Sequence, residues 1–158
     1  MKPTLYLETS VISYLTTRPS RDLIVAAHQQ ITHDWWDKYL KRYEVFISGL
    51  VLIESRQGDT DAAQRRLMYI EDFPLLDVTT EVEALAEVYI KNIPLPERAY
   101  RDAIHLAVAS LNGMDYIVTW NCKHIAHGEV KKGMLRINDQ RSIESPIVCT
   151  PEELMGGE

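Results

Sequence analysis

The stretch Thr4-Leu5-Tyr6-Leu7-Glu8-Thr9-Ser10-Val11-Ile12-Ser13-Tyr14-Leu15 decides how the chain is read. Residues 4–7 form an apolar run of strand length, and Val11, Ile12 and Leu15 resume an apolar pattern at helical spacing. A strand therefore passes into a helix across a carboxylate. Burying an ionised carboxylate costs several kcal/mol unless it is paired, hydrogen-bonded or bound to a metal, so Glu8 requires a compensating partner.

Working outward, strands alternate with helices, with no internal repeat and no linker rich in Gly, Pro or Ser. The spacing predicts a long helix over Arg21–Tyr43 capped by Ser20, a strand at Glu44–Ser48, and a helix from Gly49 to Gln57 closed by Gly58. A helix over Thr60–Asp72 with Thr60 as its cap, a strand at Pro74–Val78, and a helix from its cap Thr80 to about Asn92 follow. Then come a helix from Glu97 to Asn112, a strand at Tyr116–Thr119, a strand at Ile147–Cys149 and a final helical turn from Thr150. Strands apolar on both faces and alternating with helices indicate α/β architecture with a mainly parallel sheet covered on each side.

The 158 residues suit one domain. No apolar run approaches the ~20 residues of a membrane span, and Met1-Lys2-Pro3 leads into a strand instead of a signal peptide, so a cytoplasmic location is expected. Cys122 and Cys149 lack CxxC spacing and read as reduced thiols. With 17 Lys and Arg against 23 Asp and Glu, the net charge of −6 argues against broad adhesion to nucleic acid through a basic surface. Lys131, Lys132, Arg136 and Arg141 form a local basic group, and Lys38, Lys41 and Arg42 suit a helix C-terminus.

Parallel α/β sheets bind ligands outside the carboxyl ends of their strands, so the acids of interest lie there. Glu8 ends the first strand. Glu54 interrupts the apolar run Leu50-Val51-Leu52-Ile53, Asp102 precedes Ala103-Ile104-His105-Leu106-Ala107, and Asn121 follows the fourth strand. Taken singly, Glu54 suits a pair with Arg56 or Arg65, and Asp102 one with Arg98 or Arg101. Jointly, the acids suit Mg²⁺ or Mn²⁺, hard cations held by one or two carboxylates plus waters and completed by substrate phosphate. Such an ion supports hydrolysis of a phosphodiester.

Leu5-Tyr6-Leu7-Glu8-Thr9-Ser10-Val11-Ile12, Val51-Leu52-Ile53-Glu54, Asp102-Ala103-Ile104-His105-Leu106-Ala107 and Ile117-Val118-Thr119-Trp120-Asn121-Cys122-Lys123-His124 together resemble the four motif blocks of the PIN domain in its VapC-like toxin branch. The resemblance covers nearly the whole chain and implies a single three-layer α/β/α PIN-like domain over residues 1–158. It further implies a Mg²⁺- or Mn²⁺-dependent endoribonuclease with RNA as substrate, homodimers, and a small antitoxin as partner. Carried over by position, Glu8, Glu54 and Asp102 fall on metal-binding acids, Asn121 on a fourth catalytic position that is typically Asp, and Thr9 and Thr119 on supporting hydroxyls. Glu8 stands where Asp is usual. Asn121 offers an oxygen without charge, leaving three formal negatives where four are typical. The alternative is a catalytically degenerate PIN-fold binding or interaction module.

His105 lies three residues after Asp102, on one helical face, so an Asp-x-x-His metal pair competes with a buried imidazole hydrogen-bonded to a neighbour. His124 is read likewise, with substrate contact open to it, and His28 and His33 as surface or dimer-face residues. Trp35 and Trp36 point about 100° apart on their helix, which leaves one indole for a partner. A response-regulator-like phosphoacceptor site is disfavoured, because only Asp77 is even loosely placed for it.

Overall fold

The computed structural model describes residues 1–157. Five parallel strands, β1 (Thr4–Leu7), β2 (Glu44–Ser48), β3 (Leu75–Leu76), β4 (Tyr116–Val118) and β5 (Ile147–Cys149), make one sheet in the order β3-β2-β1-β4-β5. Leu5 is paired with Val45 on one side and Tyr116 on the other, so β1 is the central strand. Leu5, Tyr6, Leu7 and Ile117 are fully buried, as strands covered on both faces require.

Seven helices cover the sheet: α1 (Thr9–Thr16), α2 (Leu23–Tyr39), α3 (Gly49–Ser55), α4 (Thr60–Ile70), α5 (Thr80–Asn92), α6 (Tyr100–Leu111) and α7 (Gly128–Gln140). α1 packs on α2, α3 and α4, while α5 packs on α6 and α7, giving three α/β/α layers with the apolar core on both sides of the sheet. No helix among the described residues is long and apolar enough to cross a membrane.

The local departures from the sequence reading have local causes. α2 begins at Leu23, two residues later than expected, because Asp22 is its cap, accepting from the amides of Ile24 and Val25. Ser20 instead accepts from the Asp22 amide one turn earlier. The helix ends at Tyr39 and continues as a 3-10 turn over Leu40–Arg42. Asp59 and Thr79, each one residue before the expected cap, accept the first-turn amides of α4 and α5. β3 is only two residues long, and the helix expected from Glu97 opens as a 3-10 turn, with α6 proper beginning at Tyr100.

Helix α7 was not expected. Its apolar stripe of Val130, Met134 and Ile137 is interrupted by Gly133, whose missing side chain admits Ile93; a Cβ there would lie 2.9 Å from Ile93 Cγ1. Trp35 is buried in the core, while Trp36 is half-buried and packs edge-on against Tyr69 and Phe73.

Candidate metal centre

The chain completes β3 at one edge before returning to β4 beside β1, so the strand order reverses between β1 and β4. Crevices form at the carboxyl ends of strands where the order reverses. Glu8 leaves β1 at this point, 5% exposed, and caps α1. Its Oε2 accepts from the Ser10 amide at 3.0 Å, and its Oε1 accepts from the Ser10 and Thr119 hydroxyls at 2.5 Å each. A helix N-terminus and three donors are what compensate this buried carboxylate.

Glu54 projects from α3. Its Oε1 accepts from the Thr9 hydroxyl at 2.7 Å and from His105 Nε2 at 2.6 Å, across 51 positions of sequence. His105 is completely buried, and its Nδ1 lies 2.6 Å from the Tyr6 hydroxyl, itself 2.8 Å from Ser48 Oγ. The imidazole is therefore held by neighbouring side chains and makes no bond to Asp102. Burial works to raise the Glu54 pKa, yet the hydrogen bond and charge of His105, the Thr9 hydroxyl and the field of Arg101 together hold it below its ordinary value. Burial works to depress His105, but the Glu54 hydrogen bond and the charges of Glu8, Glu54 and Asp102 lift it above its ordinary value. His105 Nε2 and the half-buried Glu54 carboxylate are thus a hydrogen-bonded pair whose two shifts favour the charged forms.

Asp102, in the first turn of α6, stands apart from this pair. Its Oδ2 lies 3.0 Å from His124 Nδ1, and its Oδ1 accepts from Asn121 Nδ2 at 3.0 Å. Burial and, less strongly, the Glu8 charge raise its pKa against the opposing pull of His105 and His124. Neither Glu54 nor Asp102 is paired with the arginines their sequence neighbourhoods offered; histidines are their only ion-pair partners among the described residues. The Asn121 oxygen expected as a ligand is committed elsewhere, because Oδ1 accepts from the His124 amide and closes the turn after β4.

Ligand atoms of Glu8, Glu54 and His105 lie within 4.8 Å of one another; Asp102 is outside that group. Nε2 of His105 must carry a proton to bond a carboxylate, so in this arrangement it is a donor and not a ligand. The donor set that remains, two adjacent carboxylates with hydroxyl support and a third carboxylate nearby, fits a hard divalent ion.

Several residues of this site escaped the sequence reading. Ser10 bridges Glu8 and the Trp120 amide (2.8 Å), and the signal for it was only a hydroxyl two residues after the carboxylate that ends the first strand. Trp120 is stacked on His28, with ring centroids 4.0 Å apart, and on Tyr14, and its Nε1 donates to Thr32 Oγ1 at 2.7 Å. His28 thus belongs to an aromatic stack inside the protomer, while His33 is exposed.

No protein-family model and no curated relative matches the sequence. Among solved structures, the chain is similar to the Mycobacterium tuberculosis toxin VapC20, described as cleaving the sarcin-ricin loop, with a TM-score of 0.61 and 18% identity over 76% of this chain and 92% of that one. It is similar to VapBC2 from Rickettsia felis, solved bound to a promoter DNA fragment, with a TM-score of 0.56 and 15% identity over 93% of this chain and 98% of that one. A toxin–antitoxin complex from Klebsiella pneumoniae matches with a TM-score of 0.56 and 16% identity over 94% and 98% of the two chains. The fold is that of a VapC-like PIN domain, as the four motif blocks implied.

Proposed function

We propose that the chain is a divalent-metal-dependent endoribonuclease that acts in the cytoplasm as the toxin of a toxin–antitoxin pair. The observation that carries this reading is the close approach of Glu8 and Glu54 at the carboxyl edge of the sheet, where the strand order reverses, with Asp102 tied through Asn121 to the turn after β4. Structural neighbours that are VapC toxins and toxin–antitoxin complexes support the antitoxin partner, and the homodimer belongs to the same reading.

Glu8, Glu54 and Asp102 would hold Mg²⁺ or Mn²⁺, which when bound activates water and neutralises charge on a phosphodiester. Thr9 and His105 keep Glu54 ionised and oriented. Ser10 and Thr119 do the same for Glu8, fixing the carboxylate before substrate arrives. Of the two carboxylates able to align an attacking water, Asp102 has the raised pKa and Glu54 the lowered one. Either carboxylate would align the water, and Asp102 is held in place by two side chains, Asn121 and His124.

Purified protein is expected to cut a mixed RNA panel with Mn²⁺ or Mg²⁺ and not with EDTA, and Asp102→Asn to lose about 10²-fold or more of the rate with its fold preserved. A degenerate binding module is the second reading, motivated by the commitment of the Asn121 oxygen and of both Asp102 oxygens to protein donors. No cutting in any lane, with metal binding also absent, would favour it.

A further inference from the structure

Beside the carboxylates a cleft of about 470 Å³ opens between the start of α3, the end of β3 and the first turns of α6. It lies at the carboxyl ends of β2 and β3, on the same edge of the sheet as Glu8, and its volume is that of a small-ligand site. The floor is apolar, built by Leu50, Leu76 and Ile104, and two large apolar side chains on its walls, Ile53 and Leu75, remain 51% and 52% exposed. Exposed apolar walls around a concave floor are an unfilled contact surface.

The rim is polar and uncommitted. Asp77, Glu83 and Arg101 line it, and none makes a side-chain hydrogen bond or an ion pair among the described residues. Arg101 adjoins Asp102, and its field reaches the Glu54 carboxylate, so it stands between cleft and acidic centre. Tyr100 lines the cleft with an aromatic ring. Two rim acids repel a phosphate from the interior. A flat, neutral, partly apolar group with hydrogen-bond donors on its edge suits such a lining, in which Arg101 is the single cation.

We propose that this cleft is a nucleobase subsite, in which an unstacked, amino-bearing base of single-stranded RNA donates to Asp77 while Arg101 meets the adjoining phosphate. The proposal rests on the nuclease reading above for its substrate class. It makes Asp77, Tyr100 and Arg101 specificity-determining residues, distinct from the carboxylates that hold the ion.

The test is a titration of ¹³C-methyl-labelled protein in EDTA with AMP, CMP, GMP and UMP, following the methyls of Leu50, Ile53, Leu75 and Ile104. Gly49→Phe is the blocking variant. A Cβ at Gly49, which lines the cleft, meets nothing within 4 Å, so the backbone there admits a side chain, and thermal melting checks that the variant folds. Saturable shifts with the amino-bearing nucleotides, weaker by about tenfold for UMP and in both Gly49→Phe and Asp77→Asn, are expected, the size of one lost stacking or edge contact. Equal response to UMP, no response to any nucleotide, or an undiminished response in Gly49→Phe overturns the proposal. So does saturation by an apolar helical peptide without nucleotide response, which assigns the cleft to a protein partner. Because no turnover is needed, an inactive enzyme leaves this result standing, and a silent titration leaves the cleavage assay standing.

Discussion

At the scale of single residues, the Glu54–His105 pair makes stability depend on pH in a defined direction. Glu54 is held below its ordinary 4.5, so its contribution is present above that pH and lost as pH falls through the lowered folded value. His105 is held above its ordinary 6.5, so its contribution is whole below 6.5 and lost as pH rises through the raised folded value. Asp102 acts oppositely to Glu54, since its raised pKa penalises the ionised form and costs stability as pH rises. In EDTA, His105→Gln is expected to cost about 1–3 kcal/mol, the loss of a part-buried hydrogen bond to a charged group. Urea titrations of both proteins should show that deficit widest between pH 4.5 and 6.5 and narrower toward alkaline pH. A deficit independent of pH would mean that the pair is neutral. The acids of this site were legible because a carboxylate inside an apolar run has few other uses. Their partners were not, because Thr119 lies 111 positions from Glu8 and His105 lies 51 from Glu54, and only the packed fold sets those distances.

At the scale of elements, the caps decide where helices start. Asp22→Ala is expected to cost about 1 kcal/mol, and Ser20→Ala clearly less, because Asp22 satisfies two first-turn amides of α2 and Ser20 none. Thermal melts of the two variants compare them directly; equal losses would place the functional cap at Ser20. Most elements could be read from period alone, since the strands are continuous apolar runs and α5 and α6 carry apolar residues at helical spacing. α7 could not. Gly133 reads as a breaker but is a close approach to Ile93, and Asn138 reads as surface but is fully buried, bonded to Tyr89, Ser110 and Ser145. Charged neighbours such as Lys131 and Lys132 hid a buried stripe of five residues, Val130, Gly133, Met134, Ile137 and Asn138.

At the scale of the whole molecule, the sheet order brings groups from both ends of the chain to one edge, so an ion held there ties β1, α3 and α6 together. A ligand that binds only the folded state stabilises it by mass action, about 2.7 kcal/mol at a hundred times its dissociation constant. Mn²⁺ should therefore raise Tm by roughly 5–10 °C for a chain of this length. Glu54→Gln should abolish the rise, whereas Asp77→Asn should retain it; a rise that survives Glu54→Gln would place the ion elsewhere. The aromatic stack that seats Trp120 bears on the same site from the far side. The segment Thr119–Asn121 is pinned by the stack, by the indole bond to Thr32 and by the amide bond to Ser10. Its conformational freedom is removed during folding, so a ligand bound against it would lose only its own hydration and mobility.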